Sequence, residues 1–277
     1  MKPSEGNASA ESDYRVPGTW SVSLAVARVG FAEILRDRIL LNIVVLTVLM
    51  ILASVITAQI TPSVTARVLT DFSWGALLVS CFAIALTQGA SVVGREIERR
   101  TILVALARPI HRAQWLVGKF LGVASVVTLN GVLLFLVSCA LVYGMLGSDE
   151  SLSPLFTRLA AASLLLVQSW VIVAVALFFS TFTTTSLSVV LTVGVYLMGA
   201  SSSQIRWLAG QSEGPARWVL GGVAAGIPNF DVFHLSRELT YGLSVEWVRV
   251  FSGIGYGLIW CVIPLVAGGY LLQKRDL

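Results

Sequence analysis

The sequence predicts an all-α polytopic membrane protein, and three observations carry that reading. Of 277 residues, 56% are hydrophobic and only 12% charged, against about a quarter charged in an ordinary soluble domain. Charge is absent from five long runs: Ile39 to Ala66, Phe72 to Gly94, Phe120 to Ser148, Leu159 to Ile205 and Val250 to Gln273. The densest internal charge lies between two of these runs, from Gly94 to Lys119. A helix needs about 20 apolar residues to cross the hydrocarbon. Four runs therefore fit one span each, and the fourth in sequence, too long for one, folds back. Six transmembrane helices result, at about 39–60, 72–93, 116–143, 159–179, 187–200 and 250–272.

The first eighteen residues are polar and small and lack the apolar core of a secretory signal. They read as a disordered cytoplasmic tail over 1–18, leaving 19–277 as one membrane domain. Trp20 to Arg38 has helical periodicity. Leu24, Ala27, Phe31, Ile34 and Leu35 fall on one face and Arg28, Glu33, Arg36 and Asp37 on another. Arg36, Asp37 and Arg38 make a sharp boundary before Ile39, which favours an amphipathic helix lying at the membrane surface over an extension of the first span.

Thr61-Pro62 closes the first span, and a short loop to Asp71 leads to the second. The third ends in the Gly-, Ser- and acid-rich turn Gly144 to Pro154. Thr181 to Ser186 (T-F-T-T-T-S) separates the fourth from the fifth. Trp218 to Ile227 is apolar but half a span long and stops at Pro228. It reads as a short extracytoplasmic or re-entrant helix between the fifth and sixth spans.

Orientation follows from Lys and Arg. With the N-terminus cytoplasmic, thirteen lie inside and six outside, the six thinly spread. Both termini and the segment 94–119 are then cytoplasmic, in a multi-pass protein of the cell inner membrane.

No Asp, Glu, Lys, Arg or His falls in the middle of a span, which argues against an ion-coupled transporter, proton pump or voltage sensor. Gln88, Asn130, Gln168 and Ser169 are the polar candidates to line a path, though such a residue more often makes an interhelical hydrogen bond. Cys81, Cys139 and Cys261 lie in apolar runs and read as small packing residues. His111 and His234 fall on opposite sides, and the four methionines form no cluster. No metal site is therefore expected. There is no G-x-x-x-x-G-K-[ST] phosphate loop, so no ATP binding of that kind is expected in this chain. Gly118 to Gly122 and Gly253 to Gly257 are G-x-x-x-G patterns that permit close helix packing.

The segment from Gly94 to Lys119 holds Arg95, Arg99, Arg100, Arg108 and Arg112 with Glu96, Glu98 and Pro109. Glu96 and Arg100 are four apart and pair along a helix face. Ile97, Thr101, Val104 and Ala105 lie nearer another side, and Pro109 cannot continue the helix. Glu96 to Ala107 thus reads as a short amphipathic helix parallel to the membrane. A loop that only fixed topology would need the arginines but not the glutamates, the apolar side or the stop.

The string R-E-I-E-R-R-T-I-x-x-x-L-A-R-P-I-x-R-x-x-x-x-x-G-K-x-x-G, from Arg95 to Gly122, resembles the signature of ABC-2-type permease subunits. It is most like the branch that includes the permeases of multicopper-enzyme and nitrous-oxide-reductase maturation operons. I-P-N-F-D-V-F (Ile227 to Phe233) and the terminal K-R-D-L (Lys274 to Leu277) resemble that branch too.

The resemblance implies two copies of this chain clasped by two copies of a separate ABC ATPase, which would bind ATP and Mg, with no cofactor here. It implies that Trp20 to Arg36 is an interface helix. It also implies that Glu96 to Ala107 is the coupling helix between the second and third spans, docked in the ATPase. Glu96, Glu98, Arg99, Arg100 and Thr101 would make the contact. Arg108, Pro109 and Arg112 would set its end at the headgroups. Partners are then the ATPase, a second copy, the bilayer and, in some members, a periplasmic accessory protein; nucleic acid is not among them. The function implied is the permease subunit of an ATP-driven exporter. The alternative is a membrane anchor that transmits mechanical work to an extracytoplasmic assembly without moving cargo.

Overall fold

The computed structural model describes residues 19–60, 65–98, 112–146, 153–235 and 246–274. These form α1 (Thr19–Leu35), α2 (Arg38–Ile60), α3 (Thr65–Glu98), α4 (Arg112–Leu146), α5 (Ser153–Ser180), α6 (Thr185–Ala200), α7 (Ser202–Gln211), α8 (Pro215–Gly226), a 3-10 turn (Phe230–Phe233) and α9 (Trp247–Lys274). Among the described residues there is no strand.

Four helices contain segments long and apolar enough to cross a bilayer: Leu69–Gly94, Ala113–Gly144, Leu155–Ser180 and Trp247–Lys274. The pair α6 and α7, bent by 59°, makes a fifth if counted as one span. The described residues thus give four to five candidates where the sequence predicts six. The difference lies at α2, a helix of 23 residues that is not among the four, and at α6. With only 16 residues, α6 is about 24 Å long at 1.5 Å per residue, short of a roughly 30 Å hydrocarbon layer.

The centre is α5. Every residue from Val171 to Leu177 is buried, and a helix apolar on all sides needs neighbours all round. These are α3, α4, α6 and α9; α2 lies on α3, and α1 on α4. On the outside, Leu41, Val45, Leu49 and Leu52 of α2 and Ile259, Val262, Ile263 and Val266 of α9 are exposed, as suits a protein whose solvent is lipid.

Lipid tails are as apolar as leucine, so close backbone approach at small residues does much of the work of assembly. A Cβ on Gly89 of α3 would stand 2.8 Å from Ala176 Cβ of α5. One on Gly253 of α9 would stand 2.9 Å from Leu164 of α5, and one on Gly257 would collide with Val167. Hydroxyls within the helices turn back on their own backbones: Thr47, Thr87 and Thr128 each donate to the carbonyl four residues earlier. No bare donor is left in hydrocarbon at those positions.

Candidate functional site

The charged segment is bracketed by α3 and α4. Helix α3 continues unbroken through Glu98. Glu96 to Glu98, expected to open a separate surface helix, are instead the last turn of the span's own helix. Nothing stops it there: Gly94 alone costs only about 1 kcal/mol of helix propensity, and no proline or N-capping residue intervenes. Arg99, Arg100, Thr101, Arg108 and Pro109 lie outside the described residues, as does the rest of the expected coupling helix. Arg112 opens α4.

Antiparallel packing makes α3 and α4 a hairpin. Near its middle Asn130 donates from Nδ2 to Ser80 Oγ at 2.9 Å, with Cys81 Sγ at 3.9 Å. At its charged end, a Cβ on Gly94 would collide with Thr185, the first residue of α6. Gly269 of α9 faces Ala113, and Gly268 faces Leu116. The end of α3, the start of α4, the α5–α6 break and the end of α9 therefore share one side of the bundle.

Helix α1 completes that side. Ser23 Oγ donates to the Gln114 carbonyl at 3.1 Å. A Cβ on Gly118 would meet Val26 Cβ at 2.7 Å and the Ser23 carbonyl at 2.8 Å; one on Gly122 would meet the Ala27 carbonyl at 3.1 Å. The contacts advance together along both chains, so α1 runs in the same direction as the first turns of α4. The side that meets the G-K-x-x-G groove carries Ser23, Val26 and Ala27, whereas Leu24 and Leu35 of the expected apolar face stand exposed. The boundary at Arg36 and Asp37 is where the sequence places it: α1 ends at Leu35 and α2 starts at Arg38. Between the two glycines, Lys119 is buried, with Nζ 5.8 Å from the centre of the Trp115 ring.

The α5–α6 break is closed by hydroxyls. Ser180, Thr181 and Thr183 donate to the carbonyls of Leu177, Phe178 and Phe179 at 2.7–2.8 Å. They satisfy backbone acceptors that the end of a helix leaves open. Ser188 Oγ reaches back to the Ala176 carbonyl at 2.9 Å and ties α6 to α5.

All four polar candidates for a path are buried, and each is satisfied within one chain. Gln88 Nε2 donates to Asp37 Oδ2 at 3.2 Å. Asn130 joins α4 to α3, as above. Gln168 of α5 hydrogen-bonds Tyr196 of α6. Ser169 donates to the Leu165 carbonyl of its own helix at 2.9 Å. Gln88, Asn130 and Gln168 fasten separate elements to one another, and Ser169 bonds within its own helix. Among the described residues no cluster of three His, Cys, Asp or Glu side chains could hold a metal ion.

A family model for ABC-2 family transporter proteins matches residues 24–277, which takes in the charged segment, the helices that bracket it and α1 from Leu24 on. The chain belongs to the ABC-2 transporter family. No curated protein matches it.

The far side of this ABC-2 permease is built on Ile227 to Phe233. Pro228 and Phe230 pack where a Cβ on Gly199 would stand. Asn229 Oδ1 accepts from Ser202 Oγ and, at 3.1 Å, from the Asp231 amide. The Asn229 amide donates to Tyr256 Oη at 2.8 Å, and the Ser203 amide to Asp231 Oδ2 at 3.3 Å. Phe230 and Phe233 are among the largest fully buried side chains. Sequence reading caught this motif only as a resemblance; the structure makes it the joint between α6, α7 and α9. Beyond it α7 and α8 pack on each other, and Trp207 and Trp218 stand 67% and 83% exposed, beside exposed Arg206 and Arg217. Exposure of that order means neither tryptophan is part of a core.

Proposed function

We propose that this ABC-2 permease is the membrane-spanning subunit of an ATP-driven exporter. Two copies form the path, and two copies of a separate ATPase, binding ATP and Mg, supply the energy. The observation that carries the reading is the braced α3–α4 hairpin, whose facing ends carry the two ends of the charged segment 95–112, in a chain whose family match runs from 24 to 277. A segment held between packed spans is suited to pass a rigid-body shift into them. In this reading α2 and α6 complete a six-span set, both termini are cytoplasmic, and the membrane is the inner membrane. Glu96, Glu98, Arg99, Arg100 and Thr101 meet the ATPase. Arg108, Pro109 and Arg112 end the contact at the headgroups. The exposed tryptophans of α7 and α8 suit a membrane–water interface, where tryptophan is enriched.

The test has two stages. The chain is purified in mild detergent and accompanying proteins identified; a P-loop ATPase is expected. In that complex Glu96→Lys is expected to abolish cargo-dependent stimulation of ATP hydrolysis while the protein stays in the membrane. Intact stimulation would remove the assigned contact.

One observation favours the second reading, mechanical transmission without cargo. Gln88, Asn130, Gln168 and Ser169 are each satisfied inside the chain, which leaves them poor material for a hydrated path. Cargo-free ATP turnover that drives a periplasmic accessory protein would decide for that reading.

A further inference from the structure

The corner between α1 and α2 brings a carboxylate to a fully buried amide. Arg36 and Arg38 on either side are exposed, whereas Asp37 is half-buried and its Oδ2 accepts from Gln88 Nε2 at 3.2 Å. Gln88 is 0% exposed and lies in α3, six residues before Gly94. At the other end of α1, Ser23 donates to Gln114 of α4. Between the two attachments the helix lies in the groove opened by Gly118 and Gly122. One short helix is thus fastened to both arms of the hairpin, to α4 at its start and to α3 just past its end. A hydrogen bond to an ionised acceptor is about twice as strong as a neutral one, and burial of the donor makes its loss more costly.

The geometry points to a latch: Asp37 and Gln88 make α1 a brace across the α3–α4 hairpin. They act as positioning residues that pass displacement of the α3 arm to the start of α2. The transmission half of this inference rests on the function proposed above; the latch does not. Any scissoring of α3 against α4 would load the brace, and α2 would move with the corner. The role also accounts for two features left over from the sequence, the glycine spacing of G-K-x-x-G and the single acid between Arg36 and Arg38.

The full chain, in nanodiscs with whatever ATPase accompanies it, is compared as wild type, Gln88→Leu, Asp37→Ala and Asp37→Asn. In Gln88→Leu and Asp37→Ala, amide exchange across residues 23–35 is expected to quicken about 10- to 100-fold, with α5 unaffected. The ratio of stimulated to basal ATP hydrolysis is expected to fall in parallel. Asp37→Asn still offers a neutral oxygen to Gln88 and is expected to fall between wild type and Asp37→Ala in both. Unchanged exchange in α1 would overturn the latch whatever the protein does. Faster exchange with an unchanged ratio would overturn its part in transmission. A wild type with no associated ATPase would overturn the proposed function and the transmission half together, and exchange alone would then decide the latch.

Discussion

Gly257→Ala tests how α9 is seated on α5, and Gly255→Ala on the same helix is its control. A Cβ at Gly257 would collide with Val167 and stand 3.0 and 3.1 Å from ring atoms of Phe233; at Gly255 it would meet nothing within 4 Å. Carbon atoms at rest sit about 3.5–4.0 Å apart, so α9 must move by roughly half an ångström or more. Val167 and Phe233 are both buried, and neither has room to yield. Both substitutions gain the same helix propensity, about 1 kcal/mol, so their difference isolates the packing. Overpacking costs about 1–3 kcal/mol. Taking about 2 kcal/mol at roughly 2–4 °C per kcal/mol for a chain of this size, Gly257→Ala should melt about 4–8 °C below Gly255→Ala. Thermal unfolding followed by circular dichroism in one detergent measures this. Equal melting temperatures, or a more stable Gly257→Ala, would refute the contact between α9 and α5.

Asn130→Leu and Ser80→Ala should each destabilise the fold, and the double variant should lose less than their sum. The coupling energy expected is about 0.6–1.7 kcal/mol, the range seen for hydrogen bonds between membrane helices; strict additivity would show that the bond contributes nothing. Tyr256→Phe removes the acceptor for the Asn229 amide and should cost about 1 kcal/mol, since the site is half-buried. Faster amide exchange at Asn229 to Phe233, with the Ser163 to Leu177 region unchanged, would locate that loss at the joint between α6, α7 and α9.

Much of the bundle was legible because charge is so scarce. The runs beginning at Phe72, Phe120, Leu159 and Val250 correspond to α3, α4, α5 and α9. Each helix extends past its run, since charged residues end the hydrocarbon stretch without ending the helix. The T-F-T-T-T-S break was legible for a local reason: Thr181 and Thr183 hydrogen-bond carbonyls three and four residues away. What hydrophobicity does not encode is which surface covers which. The pattern of α1 announces an apolar face through Leu24 and Leu35, yet both are exposed and the side that enters the α4 groove is that of Ser23, Val26 and Ala27. Gly118 and Gly253 open similar spacings, yet one receives α1 and the other α5. The partner of Gln88 is 51 residues away, and Asp37 reads from sequence merely as one of three boundary charges. The charged residues from Arg99 to Pro109 carry the resemblance, but their placement lies outside the described residues.

The lengths of the two hairpin arms have a mechanical consequence. Helices α3 and α4 contain 34 and 35 residues, so each is about 50 Å long, against roughly 30 Å of hydrocarbon. Some 20 Å of stiff rod therefore projects beyond the lipid tails. A tilt of only about 5° about one end of a 50 Å rod moves its other end by about 4 Å, close to the pitch of one helical turn. A rod of that length turns a tilt of a few degrees at one end into a displacement of side-chain size at the other.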